Sequence, residues 1–211
     1  MLTFRVVYFL HFLSLGIFLP YLNVHFRDIG MTNAQIGILT AVMPLFITLS
    51  PTIWAQIADR TGRKKDLIVL ASALSGAFFL LLGSMRQFGY ALLVLACFSF
   101  FRSPIASLFE SMTFEQLKKT GGDYGRTRMF GSFGFIVGVV VIGHLFERWG
   151  ARVLFLGLFL ASVTSAANAA FLPAAPRRVR AEKRPPVSSL FTNRLLVLFL
   201  ATAFLMRLSH A

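Results

Sequence analysis

Residues 34–85 read AQIGILTAVMPLFITLSPTIWAQIADRTGRKKDLIVLASALSGAFFLLLGSM, two apolar runs joined by a short basic turn. A helix that crosses a hydrocarbon core about 30 Å thick needs roughly 20 apolar residues, and each run approaches or exceeds that length. Runs joined by so few residues must lie antiparallel to each other. The stretch therefore predicts a pair of transmembrane helices whose connecting turn lies at the membrane surface.

The same alternation of apolar runs and short turns continues along the chain. The first run exceeds the ~7 to 15-residue core of a signal peptide and no A-x-A site follows it, so we interpret it as a retained helix. Pro20 is expected to bend that helix, and Thr32 offers an N-cap for the next. We predict an all-α polytopic membrane protein, a six-helix bundle over 1–172 with helices at 6–26, 34–57, 67–85, 90–112, 127–146 and 153–172.

Composition supports a membrane protein and argues against a nucleic-acid-binding one. Hydrophobic residues make up 56% of the chain and charged residues only 14%, too few to cover a water-soluble globule of this size. The net charge of +13 lies almost entirely between the apolar runs, fifteen basic residues on one side of the membrane against four on the other. By the positive-inside bias the richer side, which includes the N-terminus, faces the cytoplasm.

The C-terminal part of the chain changes character. Residues 173–192 are basic and rich in proline, and we predict a cytoplasmic linker that sets topology, with contact to anionic lipid as the alternative. Residues 193–211 hold only twelve consecutive apolar residues, about 18 Å of helix, which cannot span a bilayer. We interpret them as a partial seventh helix, with an interfacial helix as the alternative.

Motifs that would indicate an enzyme or a metal protein do not occur. The sequence has no H-E-x-x-H, no G-x-S-x-G and no histidine cluster, and its one cysteine, Cys97, lies within an apolar run and is expected to be a packing residue. We therefore predict neither a catalytic residue nor a metal or cofactor.

The turn after the second predicted helix concentrates charge. Asp59 lies at a helix end beside Arg60 and Arg63, where it can pair with cations or lie against the N-terminal dipole of another helix. Gly62 allows a tight turn with a positive φ. These residues suit either a conformational latch or an ordinary basic turn.

In sequence, residues 55–64 (AQIADRTGRK) resemble the loop signature G-x-x-x-D-R-x-G-R-[RK] of the major facilitator superfamily, with Ala55 at the first glycine. The resemblance implies a gating loop formed by Asp59, Arg60, Gly62 and Arg63. Residues 124–131 (YGRTRMFG) resemble the permease group of that superfamily that contains the lactose and phenylpropionate carriers.

That second resemblance implies substrate-binding residues. In the lactose carrier, the second arginine of this motif pairs with an acidic residue eighteen positions earlier, and the pair binds the sugar. Arg128 and Glu110 occupy the corresponding positions in this sequence. Phe135 falls where the sugar permease has a tryptophan, which weakens the case for a galactoside. Charges at membrane depth must face the bundle interior, so Glu110 and Arg128 form either a substrate-facing site or a permanent structural ion pair.

Arg102 lies near the middle of the fourth predicted helix, from which it cannot easily reach the membrane surface. Eight residues rotate a helix by about 80° beyond full turns, so Arg102 and Glu110 can reach one cavity. We predict Arg102 as an anchor for an anionic substrate such as a small aromatic carboxylate. His11 either lines the same cavity or has its hydrogen-bonding groups paired within the bundle. Three glycines on one face of the fifth helix, Gly131, Gly134 and Gly138, suit close helix approach.

The resemblance implies the N-terminal half of a twelve-helix transporter with its substrate between two six-helix halves. The expected function is secondary active transport by alternating access, as a proton-coupled symporter of a small organic solute, an aromatic carboxylate or a sugar, in the plasma membrane (bacterial inner membrane). The expected partners are that small-molecule substrate, the lipid bilayer and a C-terminal half that these residues do not contain, with no nucleic acid. The alternative is a non-transporting half-bundle sensor or assembly partner.

Overall fold

A computed structural model describes residues 1–173 together with Val197, Leu198 and Thr202. Its described part is helical throughout, with short turns between the helices. The helices are α1 (Leu2–Phe18), α2 (Leu22–Asp28), α3 (Asn33–Thr61), α4 (Lys64–Leu82), α5 (Phe88–Thr120), α6 (Tyr124–Trp149) and α7 (Arg152–Ala170).

These helices supply six segments long and apolar enough to span a membrane, with α1 and α2 counting as one. The predicted fold class is confirmed. Four of the six spans extend beyond the predicted apolar runs at both ends, and α4 and α7 are shifted toward the N-terminus by one to three residues. The turn after α5 consists only of residues 121–123, whereas the predicted helices left residues 113–126 between them. With 33 residues, α5 is about 50 Å long, well beyond a hydrocarbon core of about 30 Å. Hydropathy detects the apolar part of a helix and not its polar ends.

Local chemistry explains where the first helices begin and end. The first span is interrupted at residues 19–21, where Pro20 has no N–H to donate, as predicted. Thr32 caps α3 through a reciprocal capping box: its hydroxyl accepts from the Gln35 N–H at 3.3 Å, and its own N–H donates to the Gln35 side chain at 2.9 Å. The N-cap predicted at Thr32 is therefore confirmed.

Close packing of α1 on α6 depends on glycine, as the sequence predicts. A Cβ added to Gly134 would overlap the carbonyl oxygen of Phe9, and one added to Gly138 would overlap that of Leu13. The same holds on α1, where a Cβ added to Gly16 would overlap the carbonyl oxygen of Phe135. With little hydrophobic drive between helices in lipid, such close approach supplies the van der Waals contact that holds them.

On the other side of the bundle, α5 packs against α3 and α4, and α7 packs against α1 and α4. Within α5, Pro104 leaves the carbonyl of Phe100 without its usual helical donor, and the Ser50 hydroxyl of α3 donates to that oxygen at 2.6 Å. The buried aromatic side chains of Tyr8 and Phe109, 4.7 Å apart between ring centroids, join α1 to α5.

The chain divides into two units, Met1–Arg177 and Arg178–Ala211. The predicted linker lies outside the described residues apart from Pro173. Of the predicted partial seventh helix only Val197, Leu198 and Thr202 are described, and all three are helical. The domain division drawn from the sequence stays a prediction.

Candidate functional site

Arg102 lies inside the bundle, with 8% of its surface exposed. Its Nη2 donates to the carbonyl oxygen of His11 at 2.9 Å and to the Ser14 hydroxyl at 2.6 Å, and its Cζ lies 5.9 Å from the ring centroid of Phe18. All these partners belong to α1 and all are neutral. The arginine therefore ties α5 to α1 while keeping a charge that no carboxylate within 4 Å balances in the described part of the chain.

A cavity of about 210 Å³ opens beside this guanidinium, between α1, α3 and α5. His11 and Arg102 both line it, which for His11 is one of the two alternatives left open by the sequence, and so do Ser99 and Ser103. Four buried polar atoms of these residues have no partner among the described residues: His11 Nδ1, Ser99 Oγ, Arg102 Nε and Ser103 Oγ. An unmet donor or acceptor in a buried site costs about 1–3 kcal/mol, so a ligand that reached these four atoms would be stabilised by pairing with them.

A second, more open space of about 430 Å³ lies between α1 and α6. Arg128 and Phe135 line it, whereas His11 and Arg102 do not. The Arg128 guanidinium lies over the ring of Phe12, 4.0 Å from its centroid, in cation–π contact. Leu15 of α1 lines both spaces, so α1 separates the two predicted arginines.

Glu110 lies apart from both arginines, half-buried near the end of α5. The Tyr124 hydroxyl donates to its Oε1 at 3.3 Å. No contact within 4 Å joins Glu110 to Arg128 among the described residues, so of the two alternatives for this pair the permanent ion pair is not formed in this structure, and the substrate-facing site stays a prediction. Each charge instead has an aromatic partner, Tyr124 for the acid and Phe12 for the arginine. Glu110 also does not line the cavity of Arg102, contrary to the expectation from helix rotation.

The predicted gating loop is a two-residue turn between α3 and α4. Gly62 ends α3 with φ +69°, which confirms the expected left-handed conformation. Arg63 donates from Nε to Asp66 at 2.7 Å on the surface. Asp59 and Arg60 are exposed in the last turn of α3.

The next residue, Lys64, has a role that the sequence did not indicate. It is buried, and its Nζ donates to Glu115 at 2.7 Å and to the Ser111 hydroxyl at 2.8 Å, both on α5. The turn is thereby fastened to α5 by a charge-assisted contact. Glu115 and Ser111 lie four residues apart on one helix face, which is the only signal that sequence reasoning could have used.

The serines around Arg102 were also missed. Ser99, Arg102 and Ser103 follow the i, i+3, i+4 spacing of a single helix face, and that spacing would have indicated a polar face on α5. Ser14 follows His11 by three residues on α1 in the same way.

The sequence model of the family described as MFS_1 like matches residues 1–211. The chain is 31% identical to a maltose permease of Geobacillus stearothermophilus over 97% of its own length and 52% of that permease. It is 28% identical to a probable 3-phenylpropionic acid transporter of Escherichia coli (strain K12), over 75% of this chain and 41% of that protein. These relatives are transporters and not enzymes, as predicted.

Among solved structures, the nucleoside transporter NupG superimposes with a TM-score of 0.79 at 18% identity, over 97% of this chain and 53% of that one. The likeness shows a shared fold. The chain spans about half the length of the relatives it matches. A six-helix membrane bundle, the D-R-x-G-R turn and a family match over every residue agree: the chain belongs to the MFS_1 like family of the major facilitator superfamily.

Proposed function

We propose that this chain forms one half of a secondary active transporter that moves a small organic solute across the membrane by alternating access. The observation that carries the proposal is the Arg102 cavity, a space between α1, α3 and α5 that is lined by a buried cation and otherwise mostly by apolar side chains. Ionisable groups at membrane depth are costly and usually mark a substrate or ion pathway.

A second six-helix half would complete the substrate path. The described helices leave wide apolar faces uncovered, with α3 the least buried of the six spans and α6 next. Lipid covers part of that surface, and a second half, packed against α3 and α6, would cover the rest. In such an assembly the substrate lies near the midplane, between the halves.

The orientation we propose puts the N-terminus, the turn at residues 62–63 and the turn at residues 121–123 in the cytoplasm of a bacterial inner membrane. Lys/Arg concentrate at that end of the bundle, consistent with the positive-inside bias. Asp59, Arg60, Gly62 and Arg63 would act there as the gating loop, with the contact of Lys64 on α5 holding the turn in place.

For the transported solute we propose an aromatic carboxylate or a sugar, driven by proton symport. The relatives named for maltose and 3-phenylpropionic acid support those two classes. Glu110 is the one acidic residue among the predicted substrate-binding residues, and it is a candidate for contact with substrate or proton. Arg128, Phe135, Arg102 and His11 are the remaining candidates.

The test is uptake. The chain is co-expressed with a second six-helix half taken from the related maltose permease, and uptake of radiolabelled 3-phenylpropionate and maltose is followed in whole cells. We expect accumulation that requires both halves and that a protonophore abolishes. Assembly of both halves in the membrane with no uptake of either solute, at any proton gradient, would instead favour the sensor or assembly-partner role.

A further inference from the structure

We propose that the cavity between α1, α3 and α5 binds the carboxylate of a small monoanion with an apolar body, with the Arg102 guanidinium as its charged anchor. The inference deepens the proposed function and rests on it only for the claim that the bound anion is the transported solute. It assigns the anion to Arg102 and not to Arg128, and it selects the carboxylate over the sugar.

Charge is the first argument. The described residues surround the Arg102 guanidinium with a carbonyl oxygen, a hydroxyl and an aromatic ring, and none of these carries a full negative charge. A buried cation in a low-dielectric setting is stabilised strongly by an anion in contact with it. A neutral ligand would leave this charge uncompensated.

Hydrogen-bond geometry is the second argument. Nη2 makes both bonds to α1, and Nε remains without a partner. The hydroxyls of Ser99 and Ser103 flank Arg102 on the same face of α5, and both are buried and unpartnered. These atoms are covered in this conformation, but their residues line the cavity. A carboxylate accepts up to about four hydrogen bonds, so once the side chains turn toward the cavity it can satisfy the guanidinium and the hydroxyls together.

The remaining walls select the rest of the ligand. Leu15, Phe18, Met43 and Ile47 also line the cavity, and all four are apolar. A ligand with hydroxyl groups on every edge would bury several of them against these side chains without a partner, which is unfavourable. The volume of about 210 Å³ equals roughly seven water molecules, enough for one aromatic ring and its carboxylate.

The space beside Arg128 lacks this combination. Its arginine already has the ring of Phe12 against it, and none of the described residues that line it has a buried polar atom without a partner. The two arginines are therefore distinguishable by experiment.

Benzoate and benzamide provide a matched pair of probes, because they share a shape and differ in charge. Binding of each radiolabelled probe to the purified 211-residue chain in lipid nanodiscs is measured by equilibrium dialysis. We expect saturable binding of benzoate and binding of benzamide at least about tenfold weaker. Arg102→Gln should weaken benzoate binding roughly 10- to 150-fold, the range for loss of one charge-assisted hydrogen bond.

Two further variants keep the test decisive. Arg126→Gln removes an arginine whose side chain is 79% exposed at the start of α6, and it should leave benzoate binding unchanged. Ala106→Leu fills the cavity without removing any bond of Arg102, and it should abolish benzoate binding even if Arg102→Gln fails to fold. Far-UV circular dichroism and size-exclusion chromatography check the fold of each variant.

The inference is overturned if the folded chain does not bind benzoate, if it binds benzamide equally well, or if folded Ala106→Leu retains full affinity. Uptake by the co-expressed halves separates this failure from failure of the transport proposal. Uptake of a neutral disaccharide without benzoate binding would refute the anion site and leave transport intact. Benzoate binding with no uptake of any solute would support the site and refute transport.

Discussion

Replacing Lys64 with methionine tests whether the turn after α3 is fastened to α5. The ammonium group donates to Glu115 and Ser111, and the side chains of Lys64 and Glu115 are only 10% and 22% exposed. Removing one partner of a fully buried ion pair costs about 3–5 kcal/mol, whereas an exposed pair contributes about 0–1 kcal/mol. Because Glu115 is partly exposed, we expect Lys64→Met to lower the free energy of unfolding by about 2–3 kcal/mol, between these two limits.

The adjacent residue provides a matched control. Arg63 pairs with Asp66 at the same 2.7 Å, but those side chains are 73% and 49% exposed. Arg63→Gln should therefore cost less than about 0.5 kcal/mol. The assay is equilibrium unfolding of the purified chain in mixed micelles, followed by circular dichroism as the denaturing detergent is increased.

A double-mutant cycle completes this test. Lys64→Met combined with Glu115→Gln removes both charges. The free energy of unfolding lost in the double variant should be smaller, by about 1–2 kcal/mol, than the sum of the losses in the two single variants. Equal losses for Lys64→Met and Arg63→Gln, or strict additivity in the cycle, would refute the reasoning.

Two further predictions use the same unfolding assay. Gly134→Ala forces a Cβ onto the carbonyl of Phe9 and should lower the free energy of unfolding by about 1–3 kcal/mol. Gly37→Ala, with open space around the added Cβ, should leave that free energy unchanged or raise it by up to about 1 kcal/mol. Equal effects would show that α1 and α6 are not in close contact. Thr32→Ala removes the hydroxyl of the capping box and should cost about 1 kcal/mol, while Thr32→Ser should restore most of it; a loss for serine as large as for alanine would argue against the cap.

Features set by local chemistry could be predicted from the sequence. Gly62 had to adopt a positive φ because a two-residue turn between antiparallel helices leaves little alternative, and it does. The glycine face of α6 followed from helical periodicity, and the structure places it on α1. In each case the predicted feature, a glycine in a turn or a row of glycines on one helix face, belongs to a single helix or turn.

Features that depend on two helices together could not be predicted in the same way. The spacing of eighteen residues between Glu110 and Arg128 says nothing about the distance between side chains on α5 and α6. Arg128 is instead contacted by Phe12 of α1, and Glu110 accepts a hydrogen bond from Tyr124 at the start of α6. The contact of Lys64 with Glu115, 51 residues away, was hidden for the same reason.

The proposals above require that the Arg102 cavity between α1, α3 and α5 is accessible to water, in a bundle otherwise surrounded by lipid. Cysteine labelling in intact membranes tests it most directly, with Cys97→Ser as background and a water-soluble maleimide as probe. Ala106 lines the Arg102 cavity, whereas Leu160, 60% exposed near the middle of α7, lies on the outer surface of the bundle. We predict that Ala106→Cys reacts at least about tenfold faster than Leu160→Cys, because maleimide needs water access to a thiolate. Equal rates, or faster reaction at position 160, would contradict the account.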